Sequence, residues 1–399
     1  MADITLLATA DWDHPLWTNK QHVACSLVDL GHRVLYVDSL GLRPPRSGPR
    51  GPRAVQAGSD RGRILRRLSH GLRPPRQVRP GLWVWSPLVL PGAQRGVALR
   101  CNQLILWLGL ALWRRCLGLA ADWLWTYNPM TLAVLDPGPW RRLIYHCVDA
   151  IQAQPGMPAD AIERCEQSLC RRSDVVFVTS PGLQHRLAPL NPQTHFFPNV
   201  ADAAHFARAL DPALSLPADL AAIPAPRLGF VGAISSYKLD LALLHQLACE
   251  HPGWSLVLIG PVGEGDPDTD VTALLRLGNV HLLGPKPYGA LPSYLKGFAL
   301  GLLPLRLNAY TQAMFPMKFF EYLAAGLPVV ATRIRALQDY EQAALLCPPQ
   351  PAAFAAAIER VLAGLGPVLT DRLALAARHT YASRTQRMLE LLDKIDAGA

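Results

Sequence analysis

The chain has 399 residues, which is too long for one ordinary α/β core and suits two domains of roughly 150 to 200 residues each. Half of the residues are apolar and 17% are charged, a composition that excludes disorder over most of the chain. The net charge of +9 belongs to the first half, because residues 1–204 carry 23 basic and 14 acidic side chains whereas the remainder carries 16 of each.

The first half predicts parallel βαβ units, because short β-branched or aromatic runs alternate with helical patterns. The N-terminus itself predicts a strand, since it lacks the basic start and long apolar region of a targeting segment. The predicted strands cover residues 4–9, 33–37, 82–85, 123–127, 143–147 and 174–179, and the predicted helices cover 20–30, 97–118 and 159–172. We assign residues 1–210 to an N-terminal domain.

Residues 43–79 form a strongly basic insertion in this domain, with eleven arginines against one acid, Asp60. Six prolines interrupt the segment and predict an irregular loop. No zinc-finger, helix-turn-helix or RNA-binding aromatic pattern accompanies it, so nucleic acid is not an expected partner. An anionic membrane surface or a phosphate-bearing acceptor suits it better, because arginines also flank the apolar run Leu104–Trp113. That run has half of the roughly 20 residues needed to span a bilayer, and a buried helix beside a solvated loop remains an equal interpretation.

The second half restarts the alternation after residues 211–226, which are rich in Ala, Pro and Leu and predict a linker. Strands are predicted at residues 228–232, 255–259, 280–283, 299–303, 328–331 and 344–347, with helices at 239–250, 271–277, 290–297, 317–325 and 352–363. Residues 227–375 are therefore a second doubly wound parallel-sheet domain. Helices in residues 376–399 are expected to pack back on the first domain.

Metal and disulfide sites have little support. The eight cysteines form no CxxC pair and no short framework. Residues 266–270 contain two D-x-D triplets, but the segment lacks the glutamate of a calcium loop, since Leu277 stands twelfth from Asp266. A solvated turn with Asp270 as a helix cap is the favoured interpretation, and no metal or other cofactor is expected.

The segment from Phe315 to Thr332 is the most informative. Pro316 suits a first helical turn, Gly326 suits the left-handed residue after a helix, and Pro328 begins a strand. The first turn of such a helix offers backbone N–H groups and a positive dipole end to a pyrophosphate. Lys318 adds a charge there, and Glu321, on the same face, can accept two hydrogen bonds from a ribose diol. The alternative is an exposed helical ion pair.

This segment resembles the donor-site signature of family 4 glycosyltransferases, in the branch that reads P-x-K-x-x-E-Y-x-A-x-G-x-P-V-V. The resemblance continues through Gly229–Ile234, Leu256–Pro261, Val280–Gly284 and Leu291–Leu295. Weaker similarities in the first half are Gly31–Val34, Pro198–Asp202 and Phe206.

The resemblance implies the GT-B fold, in which two Rossmann-like domains face each other. It further implies that the C-terminal domain binds a nucleotide-sugar, that the N-terminal domain binds the acceptor, and that the anomeric configuration is retained. Glu321 would hold the ribose, whereas Lys318 and the amides around Pro316 and Met317 would meet the phosphates or the sugar. Gly232 would allow the backbone to approach the pyrophosphate.

Two cations, Lys238 and Arg306, would stabilise the leaving nucleoside diphosphate without a metal. The sequence departs from the usual family pattern at Ala313, where many members carry a first glutamate. Further candidates follow strands in the first domain. His146 is a catalytic candidate and Asp149 could contact acceptor or donor sugar, although a structural histidine and a helix cap are equal alternatives.

Asn19 and Lys20, after the first strand, complete the acceptor-side candidates. The expected reaction is sugar transfer to a hydroxyl of a saccharide or lipid-linked acceptor, in polysaccharide or glycolipid synthesis. The expected location is the cytoplasm, at the inner face of the membrane. A GT-B epimerase and a non-catalytic nucleotide-sugar or membrane-binding module are the alternatives.

Overall fold

The computed structural model describes residues 1–14, 17–40, 73–89, 96–135, 138 and 140–398. These residues divide into two units. The first unit comprises Met1–Thr179, Leu183–Phe197 and Thr385–Ala399, and the second comprises Ser180–Gly182 and Pro198–Arg384. Each unit has a twisted sheet of its own, so the predicted pair of Rossmann-like parallel-sheet domains is confirmed.

The first unit contains eight strands among the described residues, in the order β3-β4-β2-β1-β5-β6-β7-β8. They are β1 (Asp3–Leu7), β2 (Arg33–Val37), β3 (Arg76–Arg79), β4 (Leu82–Trp85), β5 (Trp123–Thr126), β6 (Arg142–Cys147), β7 (Val175–Val178) and β8 (Thr194–Phe196). All neighbours are parallel except β3 and β4. The central strands are buried on both faces, as their unbroken apolar runs require. The strand order reverses between β1 and β5.

The helices of this unit connect the strands, as the alternation predicted. They are α1 (Asn19–Asp29), α2 (Gly96–Leu117), α3 (Thr131–Val134), α4 (Ala159–Arg172) and α5 (Pro181–Leu187), whose first two residues belong to the second unit. The predicted irregular insertion is corrected at its end, where residues 76–79 pair with β4 and Arg76 contacts Asp13. Residues 43–72 of that insertion lie outside the described residues.

The second unit has a sheet with the order β11-β10-β9-β12-β13-β14, and every neighbouring pair is parallel. The strands are β9 (Arg227–Val231), β10 (Ser255–Ile259), β11 (Val280–Gly284), β12 (Leu300–Leu303), β13 (Val329–Thr332) and β14 (Leu345–Cys347). This is the dinucleotide-fold order, in which ligands bind outside the carboxyl ends of the two strands where the order reverses, here β9 and β12.

The helices of the second unit vary in length from 4 residues to 12 or more. They are α6 (Ala203–Ala207), α7 (Ala218–Ala221), α8 (Leu241–Glu250), α9 (Thr272–Leu275), α10 (Leu291–Lys296), α11 (Ala309–Gln312), α12 (Lys318–Ala324), α13 (Pro351–Leu362), α14 (Leu369–Arg378) and α15 (Tyr381–Gly398). From Thr385 onward α15 belongs to the first unit, where Met388 and Leu392 are buried.

The observed domain boundary differs from the predicted one. Residues 198–226 belong to the second unit, and the predicted linker is fixed to it. The Nζ atom of Lys296 donates to the carbonyl oxygens of Asp211, Pro212 and Leu214 at 2.6 to 2.9 Å. These three hydrogen bonds hold the segment against α10. The Ala- and Pro-rich composition of residues 211–226 does not indicate this contact.

Candidate functional site

The loops after β9 and β12 meet at the switch point of the second sheet. The backbone N–H of Arg306 donates to the carbonyl oxygen of Lys238 at 2.9 Å, and the N–H of Asp240 donates to that of Pro304 at 2.8 Å. The Arg306 guanidinium also donates to the carbonyl oxygen of Ser236 at 3.2 Å. The structure therefore brings the two predicted cations onto adjoining loops.

The two cations differ in their surroundings. The Nζ atom of Lys238 lies 5.2 Å from the ring centroid of Tyr237 and 5.6 Å from that of Tyr310, whereas Arg306 is exposed. No carboxylate within the described part of the chain forms an ion pair with either residue. Two positive charges at a switch point suit an anionic ligand.

Two glycines line the carboxyl ends of β9 and β10. Gly232 and Gly260 have φ angles of 152° and 146°, which favour glycine. A Cβ on Gly260 would lie 1.9 Å from the carbonyl oxygen of Gly232, so the two backbones touch. The N–H of Gly232 donates to the carbonyl oxygen of Ile259 at 2.8 Å. Gly232, which is predicted to lie against the pyrophosphate, also packs on the neighbouring loop.

Helix α12 follows the predicted pattern within one residue at each end. Met317 is its N-cap, and the carbonyl oxygen of Pro316 accepts from the N–H of Phe319 at 3.0 Å, so the first turn starts at Pro316. Gly326 has a φ of 77°, the predicted left-handed conformation after the helix. The Tyr322 hydroxyl accepts from the N–H of Val231 at 2.8 Å and thereby fixes α12 to the end of β9.

Lys318 and Glu321 form an ion pair, with 2.7 Å between Nζ and Oε2. The Lys318 side chain is 22% exposed and that of Glu321 only 4%. The observed pair is therefore not the exposed helical ion pair considered as the alternative. A buried carboxylate is expensive to desolvate and is a poor way to stabilise a helix, which favours a role toward a ligand.

The neighbours of Glu321 include an aromatic pair that the sequence analysis did not single out. The His205 and Tyr288 rings stack with their centroids 4.2 Å apart. Burial raises the pKa of the Tyr288 phenol, and the negative charges of Glu321 and Asp202 raise it further. Burial also lowers the pKa of the His205 imidazole, whereas its hydrogen bond to the backbone of Tyr288 and the charge of Asp202 oppose this shift.

The loop before α12 is held by residues from a distant part of the chain. The Nδ2 atom of Asn199 donates to the carbonyl oxygen of Phe315 at 2.7 Å, and the Ser180 hydroxyl donates to that of Ala313 at 2.8 Å. A Cβ on Gly182 would lie 2.6 Å from the carbonyl oxygen of Gln312. Sequence reasoning missed Ser180 and Gly182, although polar and small residues directly after β7 were the available signal.

The candidates in the first unit gather at the point where the order of its sheet reverses. Asn19 and Lys20 are buried in the first turn of α1, and the Nζ atom of Lys20 lies 5.7 Å from the ring centroid of Tyr127. The Tyr127 ring stacks on His146 at 4.7 Å. The structure thus brings Lys20 and His146 next to the same tyrosine ring.

His146 and Asp149 lie at and after the end of β6. The His146 ring is fully buried, and its Nδ1 atom accepts from Trp125 Nε1 at 3.4 Å. This burial favours the structural alternative for the histidine. Asp149 is half-buried, and its carbonyl oxygen accepts from the N–H of Ile151 at 3.0 Å. Their roles toward acceptor or donor stay predictions.

The aspartates of residues 266–270 serve the loop itself. Asp266 is buried and accepts from the hydroxyls of Ser236 and Thr269. Asp270 accepts from the N–H of Thr272 at 2.9 Å, at the start of α9, although the N-cap residue is Val271. Across the residues that the structure describes, no three His, Cys, Asp or Glu side chains form a candidate metal site.

The fold is GT-B. Sucrose-phosphate synthase from Thermosynechococcus elongatus superposes with a TM-score of 0.70, 18% identity and 100% of each chain covered. The Anabaena protein Alr3699/HepE, solved in complex with UDP and glucose, superposes with a TM-score of 0.63 and 15% identity over 98% of this chain and 100% of its own. An Escherichia coli structure of trehalose-6-phosphate bound with UDP-2-fluoro glucose superposes with a TM-score of 0.64 and 14% identity over 98% of this chain and 99% of its own.

A family model matches the chain within the second unit. Residues 225–364 match the family model described as glycosyl transferases group 1. A Bacillus subtilis (strain 168) protein whose name assigns it to teichuronic acid biosynthesis as a glycosyltransferase, TuaH, is 34% identical over 107 residues. That alignment covers 27% of this chain and 26% of the relative, so it spans about a quarter of each protein.

Proposed function

We propose that the protein is a glycosyltransferase that moves a sugar from a nucleotide-sugar to a hydroxyl acceptor. The observation that carries the proposal is the ion pair between half-buried Lys318 and buried Glu321 in the first turn of α12. A hydrogen bond from Val231 to Tyr322 fixes this helix to the end of β9, and the adjoining loops after β9 and β12 carry Lys238 and Arg306. The match of residues 225–364 to the glycosyl transferases group 1 model supports it.

In this proposal Glu321 accepts hydrogen bonds from the two ribose hydroxyls. A carboxylate has the lone pairs for two such bonds, and a charge-assisted hydrogen bond in a buried site is stronger than a neutral one. Lys318 neutralises Glu321 in the absence of donor, at 2.7 Å. When the donor binds, the lysine turns toward a phosphate or sugar oxygen. The backbone amides around Pro316 and Met317 contact the phosphates or the sugar as well.

The cations act on the leaving group. The bond between the anomeric carbon and the β-phosphate oxygen breaks, and the nucleoside diphosphate keeps the electron pair. Lys238 and Arg306 neutralise the charge that develops on it, which removes the need for a metal ion. The acceptor hydroxyl forms the new bond on the face that the leaving group vacates and gives its proton to a β-phosphate oxygen of the departing nucleoside diphosphate, so the anomeric configuration is retained.

The relatives support the substrate classes without fixing them. Solved GT-B neighbours carry UDP-glucose or a fluorinated analogue of it, which supports a nucleotide-sugar donor. The name of the Bacillus subtilis relative supports a polysaccharide or glycolipid pathway. We propose a saccharide or lipid-linked acceptor in the first unit, on the side of Asn19, Lys20 and Asp149.

The reaction is proposed to take place in the cytoplasm, with the arginines of residues 43–79 in electrostatic contact with the anionic inner face of the membrane. Each basic residue near such a surface contributes about 1 kcal/mol. Changing Arg61, Arg63, Arg66 and Arg67 to Ser should reduce sedimentation with anionic vesicles at low salt. Equal sedimentation of this variant and the wild type would contradict the membrane contact and would indicate that the arginines bind a soluble anionic acceptor.

A panel of nucleotide-sugars tested by thermal shift identifies the donor. A ligand at about 100 times its Kd stabilises the folded protein by about 2.7 kcal/mol and should raise the Tm measurably. With that donor, release of nucleoside diphosphate should depend on an added saccharide acceptor. Turnover of the sugar without any acceptor would indicate an epimerase, and binding without turnover in any acceptor mixture would indicate a non-catalytic module.

A further inference from the structure

Helix α2 (Gly96–Leu117) exposes apolar side chains along its whole length. At least half of the side-chain surface is exposed at five positions: Val97, Leu104, Trp107, Leu108 and Leu112. Their spacing of three, four and seven residues places them on one stripe of the helix. A stripe of this kind normally faces a protein core.

The opposite face of α2 carries polar groups and is covered by the first unit. Asn102 is buried, and the Nε2 atom of Gln103 donates to the carbonyl oxygen of Ala133 at 2.9 Å. Leu106 and Leu110 are also buried, and Gly109 lies against the Trp85 ring. The inner face of the helix therefore carries amide side chains beside two leucines, whereas its outer face carries Trp107 and three leucines.

This orientation decides how the helix can meet a bilayer. Among the described residues α2 is long and apolar enough to cross a membrane by length and composition, yet its inner face is attached to the sheet. To span a membrane, α2 would have to lose the contacts between its inner face and the sheet. If α2 lies flat on the bilayer, its inner face keeps its contacts with the sheet, and only the outer stripe enters the interfacial region.

The charges of α2 favour an anionic lipid surface over a second copy of the chain. The helix contains no acid, and the exposed arginines Arg100 and Arg115 flank the part of the stripe from Leu104 to Leu112, about 22 Å apart along the axis. A twofold pairing of two α2 helices would bring arginine against arginine with no carboxylate on the helix. Lipid phosphates complement both arginines, whose side chains can extend to the headgroups.

We propose that α2 is an interfacial membrane anchor, which inserts Leu104, Trp107, Leu108 and Leu112 below the headgroups of an anionic bilayer while Arg100 and Arg115 bind phosphates. This anchor is separate from the electrostatic contact of residues 43–79, because burial of apolar surface is not screened by salt. It is also independent of the donor chemistry, so it can fail while the proposed function stands.

The test is co-sedimentation of the full chain with vesicles of phosphatidylcholine alone and of phosphatidylcholine with phosphatidylglycerol. Wild-type protein should bind the anionic vesicles and should retain part of that binding at about 1 M salt, where the screening length is about 3 Å. The variant Leu104→Gln/Leu108→Gln should lose the salt-resistant part, with a fall of at least about tenfold in the partition coefficient.

The matched control is Leu275→Gln/Leu365→Gln, which changes two similarly exposed leucines of the second unit and should bind as wild type does. Brominated phospholipid should quench the tryptophan fluorescence of wild type, and the quenching should fall in Trp107→Phe. Because Trp107 is itself exposed, its replacement should leave the unfolding temperature unchanged and provides a readout that is independent of the leucine variants.

Three results would overturn the proposal. One is the absence of wild-type binding to anionic vesicles, and another is equal salt-resistant binding by wild type and Leu104→Gln/Leu108→Gln. The third is a concentration-dependent dimer in sedimentation velocity that this double variant abolishes, without vesicle binding, which would make the stripe a protein interface.

Discussion

Glu321 illustrates what a single residue contributes here. Its identity and its spacing from Lys318 were readable from the sequence, and both define the predicted donor helix. Its burial was not readable, because it depends on how α12 packs against elements elsewhere in the chain, among them α6 and α14. The burial is what separates a ligand-binding carboxylate from a surface ion pair.

Lys238 and Arg306 give the first residue-scale prediction. Changing either to Gln should lower acceptor-dependent release of nucleoside diphosphate by about 10²- to 10³-fold in kcat, since each stabilises charge that develops only as the leaving group departs. Arg276→Gln, at an exposed position after α9, is the control and should retain wild-type turnover. A wild-type kcat in Lys238→Gln and Arg306→Gln would remove both residues from the mechanism.

Asp38 gives a prediction about pH. Burial raises its pKa to about 6, although Ser86 and the N–H of Trp12 donate to the carboxylate and oppose this. The folded state therefore binds the proton more tightly than the unfolded chain, whose aspartate pKa is about 3.9. This contribution to stability is present below about pH 4 and is lost as the pH rises to about 6, by at most about 3 kcal/mol.

The measurement for Asp38 is urea unfolding of wild type and Asp38→Asn at several pH values. The difference in unfolding free energy between the two proteins should change across the interval from about pH 4 to about pH 6 and stay constant above it. Parallel pH profiles for the two proteins would show that Asp38 does not titrate there.

At the scale of elements, the strands and helices were largely predictable. The periodicity in residues 227–362 placed β9 to β14 and the long helices within about two residues, because parallel strands buried on both faces are continuous apolar runs bounded by turn residues. Strands β3 and β8 were missed. β3 is an edge strand with arginines at both ends, so neither burial nor alternation marks it.

The loop before α12 was the other element beyond the reach of the sequence. Its position depends on Ser180 and Asn199, which lie more than a hundred residues earlier in the chain. Local patterns carry no information about such contacts. For the same reason Ala313, which departs from the family pattern, gave no sign that its carbonyl oxygen is an anchor point.

Ser180→Ala tests this anchor. Loss of the hydrogen bond to Ala313 should weaken the positioning of the loop and raise the KM for the donor several-fold, because a hydrogen bond contributes about 1 kcal/mol. The control is Ser168→Ala, which removes a hydroxyl that donates to the carbonyl oxygen of Arg164 on α4. A donor KM that is unchanged in Ser180→Ala would show that the loop keeps its position without this bond.

For the whole molecule, two parallel-sheet units and the GT-B fold followed from the alternation of elements and from the resemblance. The division of the chain between the two units could not be predicted in this way. Ser180–Gly182 and residues 198–226 belong to the second unit, and the end of α15 belongs to the first. Such crossings depend on long-range contacts such as that of Arg142 with Asp396.

The whole enzyme is predicted to work without a divalent ion. In the proposed mechanism, Lys238, Arg306 and Lys318 supply the positive charge that a metal would otherwise provide to a departing diphosphate. Turnover in excess chelator should therefore remain close to that of the untreated protein. Loss of activity in chelator and its recovery with Mg²⁺ or Mn²⁺ would contradict this prediction and would indicate a metal site at Asp266 and Asp270.

The central claim is that Glu321 binds the ribose of a nucleotide-sugar, and calorimetric titration of the identified donor tests it most directly. Glu321→Gln keeps the shape of the side chain and weakens charge-assisted hydrogen bonds of about 1.5 to 3 kcal/mol, so the Kd should rise by roughly 10- to 150-fold. Glu359→Gln, at an exposed position on α13, should bind with the wild-type Kd. If Glu321→Gln binds the donor as tightly as wild type while remaining folded, the assignment of the donor site is wrong.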